Sequence, residues 1–183
     1  MIKRRRDLKK NDLSKYIRNI PDFHKPGILF RDVTTLIQHP KAFKESIDRI
    51  VDKYKGKKID KVVAVEARGF IFGAAIAYKL GAGFVPVRKT GKLPWKTNSV
   101  TYNLEYGTYT LHIHQDAILP KEKILIVDDL LATGGTVGAV IDLIENLKGK
   151  ILGIAFLVEL VDLGGKNKLK GYPFSSLIKF EGE

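Results

Sequence analysis

The feature that most constrains the fold is an apolar run followed by two acids, a glycine-rich turn and the start of a helix. It spans Ile124-Leu-Ile-Val-Asp-Asp-Leu-Leu-Ala-Thr-Gly-Gly-Thr136. An apolar run of this kind, rich in β-branched residues, is typical of a strand covered on both faces, and such strands occur in parallel sheets. Because parallel strands must be joined by crossover connections, usually helices, the segment predicts an α/β fold.

Strands and helices alternate along most of the chain. The predicted strands are 61–65, 84–87, 123–127, 151–158 and 175–180, and the predicted helices are 40–54, 69–80 and 135–147. This order predicts a doubly wound architecture, in which a mostly parallel twisted sheet is flanked by helices. The length of 183 residues suits a single domain covering residues 1–183.

Two segments depart from this alternation. In residues 1–36, apolar spacing predicts an amphipathic helix over 8–20, and the Pro- and Gly-containing stretch after it is typical of a lid or arm, so we expect a small N-terminal hood. In residues 92–116, alternating apolar and polar residues flank Tyr106-Gly107-Thr108, which predicts an antiparallel β-hairpin or flexible flap.

The composition excludes several classes of protein. Without cysteine there are no disulfides, thiolate metal sites or thiol nucleophiles. No apolar stretch approaches the roughly 20 residues of a membrane span, and the basic start lacks a signal-peptide core, so we expect a cytoplasmic protein with no membrane partner. The net charge of +12 favours anionic partners, but its scattered basic residues carry no nucleic-acid-binding signature, so we expect nucleotides rather than nucleic acid.

The turn after the predicted strand 123–127 has the chemistry of a phosphate site. Backbone amides and hydroxyls of Thr133 to Thr136 would converge at the positive end of the next helix, and Gly134 and Gly135 would let a phosphate approach the backbone. Asp128 and Asp129 would accept hydrogen bonds from sugar hydroxyls or hold Mg²⁺ through water. The alternative is that acids and glycines merely end a strand and cap a helix, although turns rarely need all these features together.

A second anion site is predicted at Val65-Glu-Ala-Arg-Gly-Phe70, which also follows a strand and begins a helix. Its backbone amides and the Arg68 guanidinium would hold another anion, and two anion sites fit a sugar that carries both phosphate and pyrophosphate. Taken alone, Arg68 is equally well explained as a surface ion-pair residue and Gly69 as a helix-start glycine. The chain has neither a P-loop nor a dinucleotide-binding glycine motif, so ATPase and dehydrogenase functions lose their main support.

The segment 124–136 resembles the signature of the type I phosphoribosyltransferases. That resemblance implies their fold, with hood and flap, and a pyrophosphate-binding loop at Glu66 to Gly69 that includes a cis bond between Glu66 and Ala67. The stretches 20–23, 26–32, 84–94 and 102–108 are similar to adenine phosphoribosyltransferases, and the resemblance spans about residues 13–165. It implies purine salvage, in which adenine and phosphoribosyl pyrophosphate give AMP and pyrophosphate.

The same resemblance assigns the base site. Phe30 would stack on the purine, while the main chains of Leu29 and Arg31 recognise its edge and Arg68 lies beside it. Glu105 in the flap would assist proton transfer at the purine N7, and Tyr106 would shield the reaction.

Hypoxanthine-guanine enzymes have an acid three residues after the second acid of the signature, where this chain has Ala132 of the phosphate loop, which supports Glu105 as the acid. Arg88 would reach the pyrophosphate from the neighbouring subunit of a homodimer. Mg²⁺ would enter with the pyrophosphate and ribose, with Asp128 and Asp129 as water-bridged contacts rather than direct ligands. Two alternatives stay open: transfer to another purine such as xanthine, and a non-catalytic regulator that senses phosphoribosyl pyrophosphate and binds nucleic acid.

Overall fold

The computed structural model describes residues 12–23, 25–104 and 107–182. The chain divides into two compact units, one running up to Phe43 and the other beginning at Lys44. Helix α2 (Pro40–Tyr54) spans this boundary in the sequence. Within the part of the chain that the structure describes, no helix combines the length and apolar character needed to cross a membrane.

The N-terminal unit is built on a short antiparallel ribbon. A 3-10 turn (Leu13–Tyr16) leads into β1 (Arg18–Pro21), which pairs with β2 (Leu29–Asp32), and α1 (Thr34–Gln38) follows. The helix predicted over 8–20 is therefore wrong for residues 17–20, and its start, 8–11, lies outside the described residues. Pairing with β2 satisfies the backbone of β1, and the Thr35 hydroxyl donates to the Tyr16 carbonyl at 2.6 Å, so long-range contacts override the helical apolar spacing.

The second unit contains a seven-stranded sheet in the order β5-β6-β4-β3-β7-β8-β9. The strands β3, β4, β7, β8 and β9 pair in parallel, as predicted. Their bounds are β3 (Lys61–Val65), β4 (Gly83–Lys89), β7 (Lys123–Leu131), β8 (Lys150–Leu160) and β9 (Phe174–Phe180). Two α-helices, α3 (Arg68–Leu80) and α4 (Gly135–Asn146), flank the described sheet, and 3-10 turns (Val161–Leu163 and Gly165–Lys168) follow β8.

The strands β5 (Thr97–Leu104) and β6 (Gly107–His114) form an antiparallel hairpin within the segment 92–116. Strand β6 also pairs with the end of β4, so the hairpin continues the main sheet at its edge. Tyr102 faces Tyr109 across the two strands, with ring centroids 6.1 Å apart. The predicted hairpin is thus present, and its strands start from the sheet that carries the candidate site.

The core lies along the central strands. Residues 124–127 of β7 are 0 to 1% exposed, which explains why this stretch of the sequence is apolar throughout. Strand β7 does not stop at Val127, however, because its pairing with β8 continues to Leu131 opposite Glu159. Asp128 and Asp129 therefore lie within the strand, on the edge where the strand approaches α4, and their side chains are held by sheet geometry rather than by a loop.

Candidate active site

The phosphate-type turn lies between β7 and α4. Gly134 is the N-cap residue of α4 and has a φ of 80°, in the left-handed region that glycine adopts without strain. A Cβ at Gly134 would lie 2.4 Å from the carbonyl oxygen of Gly165, so the turn is packed closely against the segment after β8. The first amides of α4, at Gly135 and Thr136, lie at the positive end of the helix and can donate to an anion.

The two predicted anion loops line one cavity. Its volume is about 390 Å³, and its walls are Val65 to Arg68 on one side and Asp128 to Val137 on the other. Because β3 and β7 are neighbouring parallel strands, the turns at their carboxyl ends open at the same edge of the sheet. The structure thus brings together Glu66, Ala67, Arg68 and the whole stretch Asp128 to Thr136, including Ala132.

An arginine and two acids form the charged centre of this cavity. The Arg68 Nε donates to the Asp129 Oδ2 at 2.6 Å, where the Asp129 side chain is 9% exposed and that of Arg68 is 38% exposed. The Asp129 amide donates to the Asp128 Oδ1 at 2.9 Å. Burial, together with the neighbouring charge of Asp129, raises the pKa of the Asp128 carboxyl well above its ordinary value. Such a carboxyl favours a hydrogen-bond donor or a cation as its partner.

Gly69 permits this arrangement. It lies in the first turn of α3, and a Cβ there would be 2.6 Å from the Asp128 Oδ1. A side chain at this position would displace the carboxyl or the turn that precedes α3. The absence of a side chain at position 69 is therefore required by the nearby Asp128 carboxyl, and not only by the start of a helix.

Glu66 ties the second loop to strand β4. Its carboxylate accepts from the Lys89 amide at 2.6 Å and from the Arg88 Nη2 at 3.0 Å, and the Arg88 Nη1 also donates to the Lys92 carbonyl at 3.1 Å. Although burial acts to raise it, the pKa of the Glu66 carboxyl is held below its ordinary value by the Lys89 amide and Arg88. The Glu66–Ala67 peptide bond is cis, as the resemblance implied. Arg88 thus lies beside the loop in its own subunit.

Only some of the residues predicted to bind the base lie in the part of the chain that the structure describes. Leu29, Phe30 and Arg31 lie on β2 in the N-terminal unit, where the Phe30 ring is 4.7 Å from that of Phe23. The Arg31 guanidinium donates to the Asn19 side chain at 2.7 Å and the residue is 8% exposed. Glu105 and Tyr106, the predicted catalytic pair of the flap, lie outside the described residues.

Sequence reasoning missed two neighbours of the phosphate-type turn. The Tyr102 hydroxyl on β5 is 3.3 Å from the Thr136 Oγ1, and Gly165 packs so closely under Ala132 that a Cβ on Gly165 would lie 2.1 Å from the Ala132 carbonyl oxygen. Both contacts join residues about 30 positions apart in the chain. The alternation in β5 located Tyr102 on a strand, but no local pattern indicated what its hydroxyl would meet.

Comparison with known proteins agrees with this geometry. The phosphoribosyl transferase domain family matches residues 32–180. The adenine phosphoribosyltransferase of Trichlorobacter lovleyi is 59% identical over 169 residues, which cover 92% of this chain and 99% of that relative. The crystal structure of adenine phosphoribosyltransferase from Thermoanaerobacter pseudethanolicus has a TM-score of 0.88 at 54% identity, covering 92% of this chain and 98% of the other.

A second similar structure carries ligands. It is the adenine phosphoribosyltransferase of Saccharomyces cerevisiae, complexed with an imino-altritol bisphosphate and adenine. Its TM-score is 0.85 at 39% identity, and the match covers 90% of this chain and 96% of the yeast chain.

The chain therefore belongs to the phosphoribosyltransferase family, and its sheet and flanking helices have the type I phosphoribosyltransferase fold. Within that family it is a member of the adenine phosphoribosyltransferases, which are pentosyltransferases.

Proposed function

We propose that this enzyme joins adenine to the ribose phosphate of phosphoribosyl pyrophosphate, giving AMP and releasing pyrophosphate. The observation that carries the proposal is that two helix-start loops and a pair of acids line one and the same cavity. A substrate with a phosphate at one end and a pyrophosphate at the other needs two anion sites with a sugar site between them. The full-length relatives at 53 and 59% identity carry the same activity in their names.

Each part of the cavity takes one part of the substrate in this proposal. Thr133 to Thr136 bind the 5′-phosphate through amides and hydroxyls at the start of α4. Asp128 and Asp129 accept hydrogen bonds from the ribose hydroxyls. Glu66 to Gly69 hold the pyrophosphate through their backbone, with Arg68 supplying positive charge.

The reaction exchanges one bond at the anomeric carbon for another. The bond from that carbon to the pyrophosphate oxygen breaks, the electron pair leaves with pyrophosphate, and a purine ring nitrogen forms the new bond. Positive charge builds on the ribose as the bond loosens, and the buried carboxylates of Asp128 and Asp129 lie where they can stabilise it. Arg68 stabilises the departing anion, and the proton lost by adenine is taken up by Glu105.

Mg²⁺ fits this site chiefly as a partner of the substrate. The pKa of the Asp128 carboxyl is raised because burial and the charge of Asp129 outweigh the attraction of Arg68, and Arg68 pairs directly with Asp129 at 2.6 Å; a further positive charge beside Asp128 would be favourable. We propose that the ion would enter with the pyrophosphate and ribose of the substrate and that Asp128 and Asp129 would help to hold it through water. When bound, it neutralises charge on the leaving pyrophosphate.

The residues proposed to recognise adenine are those that the resemblance to adenine phosphoribosyltransferases assigns. An aromatic ring such as Phe30 provides a stacking surface worth about 1 to 3 kcal/mol for a base, while the main chains of Leu29 and Arg31 give the polar groups that read its edge. Glu105 and Tyr106 would act from the flap. The yeast relative was crystallised with adenine, which supports a base site of this kind.

Dimerisation is proposed on an apolar face of α3. Ile71 is 41% exposed and Tyr78 is 88% exposed, and with Ala74 they form a stripe along one side of that helix. Exposed apolar stripes on soluble proteins often mark interfaces, and a symmetric homodimer is the commonest assembly. Such an interface would bring a partner's residues near the loop that precedes α3, where Arg88 is expected to act. The cytoplasmic location remains a prediction.

The test is nucleotide synthesis with each of four bases. Purified enzyme with Mg²⁺ and phosphoribosyl pyrophosphate is given adenine, hypoxanthine, guanine or xanthine, and Glu105→Gln is assayed beside it. We expect AMP from adenine alone, with Glu105→Gln losing rate but retaining binding of phosphoribosyl pyrophosphate. Product from xanthine in place of adenine would contradict the base assignment, and binding without turnover of any base would favour a regulatory protein.

A further inference from the structure

Tyr102 brings a hydroxyl from the hairpin onto the phosphate-type turn. Its oxygen is 3.3 Å from the Thr136 Oγ1, and its ring is half-buried against the core under the hairpin. The register of the hairpin fixes this position, because Tyr102 pairs with Tyr109 within the ladder between β5 and β6. The ring packs against the core and lies beside the Tyr109 ring, and its hydroxyl reaches Thr136, which lines the cavity.

The hydrogen-bond capacity of the two hydroxyls decides what this contact can do. A hydroxyl has one proton to donate and two lone pairs that accept. If Thr136 donates its proton to a bound phosphate oxygen, its own oxygen can still accept the proton of Tyr102. Burial raises the pKa of the Tyr102 phenol above its ordinary value, so this group keeps its proton at neutral pH.

We propose that Tyr102 is a positioning residue for the 5′-phosphate, because its hydroxyl donates to Thr136 and orients the Thr136 proton toward the phosphate. Hydrogen bonds in such a chain strengthen one another. Because Tyr102 already fixes the rotation of the Thr136 hydroxyl, less conformational entropy is lost when the phosphate binds. This inference rests on one part of the proposed function, namely that the turn at 133–136 binds the phosphate of a sugar phosphate. It assigns to the hairpin a role at the phosphate end of the substrate, distinct from the role expected of Glu105 at the base.

The test separates the two ends of the substrate. Dissociation constants are measured by calorimetry for ribose 5-phosphate, which has only the 5′-phosphate, and for pyrophosphate, which has none. Removing one neutral hydrogen bond in Tyr102→Phe should weaken ribose 5-phosphate about five-fold, with no change for pyrophosphate. The matched control is Tyr109→Phe, which removes the hydroxyl from the facing ring of the same hairpin and should change neither constant.

Two further readouts distinguish positioning from general damage. In the full reaction Tyr102→Phe should raise KM for phosphoribosyl pyrophosphate while kcat and KM for adenine stay the same. Thr136→Val should weaken ribose 5-phosphate, and the double variant should be no weaker than Thr136→Val, because Tyr102 acts through Thr136.

Three results would overturn the inference. The first is an unchanged dissociation constant for ribose 5-phosphate in Tyr102→Phe. The second is an equal loss of affinity for ribose 5-phosphate and pyrophosphate in that variant, and the third is additive losses of affinity in the double variant. Failure of the proposed function would look different, since wild-type enzyme would then form no AMP while the binding comparison between Tyr102→Phe and Tyr109→Phe could still be made.

Discussion

The close approach of Gly69 to Asp128 predicts a pair of glycine variants with opposite effects. In Gly69→Ala the new Cβ would lie 2.6 Å from the Asp128 Oδ1. That oxygen accepts from the Asp129 amide at 2.9 Å, so moving it costs about 1 kcal/mol for the hydrogen bond and about 1 kcal/mol for an off-rotamer side chain. Alanine returns up to about 1 kcal/mol of helix propensity, so we expect a net loss of about 1 kcal/mol.

Gly138→Ala is the matched control, because Gly138 also lies near the start of a helix, α4. There a Cβ would meet nothing closer than the Lys168 carbonyl oxygen at 3.9 Å, which is ordinary contact, so alanine should stabilise by about 0.5 to 1 kcal/mol. For a chain of 183 residues the two variants should differ in Tm by roughly 3 to 8 °C. The assays are thermal unfolding and steady-state kinetics.

Gly69→Ala should also lose activity, and by more than its modest loss of stability would explain. A displaced Asp128 carboxyl no longer meets the ribose in the same geometry, so we expect kcat/KM to drop by about ten- to a hundred-fold, while Gly138→Ala keeps wild-type kinetics. If Gly69→Ala matches Gly138→Ala in both Tm and kcat/KM, the steric reasoning about this site is refuted.

Two acid variants should have opposite pH signatures, and a third variant tests the turn. Burial and Asp129 raise the folded-state pKa of Asp128, so its carboxyl costs stability as pH rises above the unfolded pKa, and Asp128→Asn should gain Tm over wild type toward pH 8 while losing activity. The pKa of Glu66 is lowered, so its stabilisation is present above the unfolded pKa and is lost as pH falls through the folded pKa, and the Tm deficit of Glu66→Gln should be full at pH 7 and shrink toward pH 3. Gly134→Ala, with a φ of 80° and a Cβ 2.4 Å from the Gly165 carbonyl oxygen, should lose about 2 kcal/mol or more and its affinity for ribose 5-phosphate.

Thermal melts from pH 3 to 8, with calorimetric binding for Gly134→Ala, check these expectations. Parallel curves for Asp128→Asn and wild type at every pH would contradict the buried-carboxyl argument. A Tm deficit of Glu66→Gln that stays constant down to pH 3 would mean that its contacts with Arg88 and Lys89 do not depend on charge. Wild-type binding by Gly134→Ala would show that the turn tolerates a side chain.

The central sheet could be predicted because its signals are local. Runs of β-branched residues at 61–65 and 124–127 are buried on both faces, and the observed strands include both. Acids have low strand propensity, which is why β7 was expected to stop at Val127. Pairing with β8 carries it on to Leu131, and a partner strand cannot be read from the residues of β7 alone.

The rest depended on contacts between distant residues. The apolar residues Leu13, Ile17 and Ile20 have helical spacing, but backbone pairing of β1 with β2 determines the structure there. The anion loops were recognisable because strand, acids and glycines occur together within a few positions. The contact of Tyr102 with Thr136 and the packing of Gly165 under Ala132 were not, because each joins separate parts of the chain.

The most direct test of the account is a crystal structure of the enzyme with AMP and pyrophosphate. We expect the phosphate of AMP on the amides and hydroxyls of Thr133 to Thr136, the ribose hydroxyls on Asp128 and Asp129, and pyrophosphate on the loop from Glu66 to Gly69. A phosphate bound elsewhere, with the cavity between these two loops left empty, would contradict the central claim that this cavity is the active site.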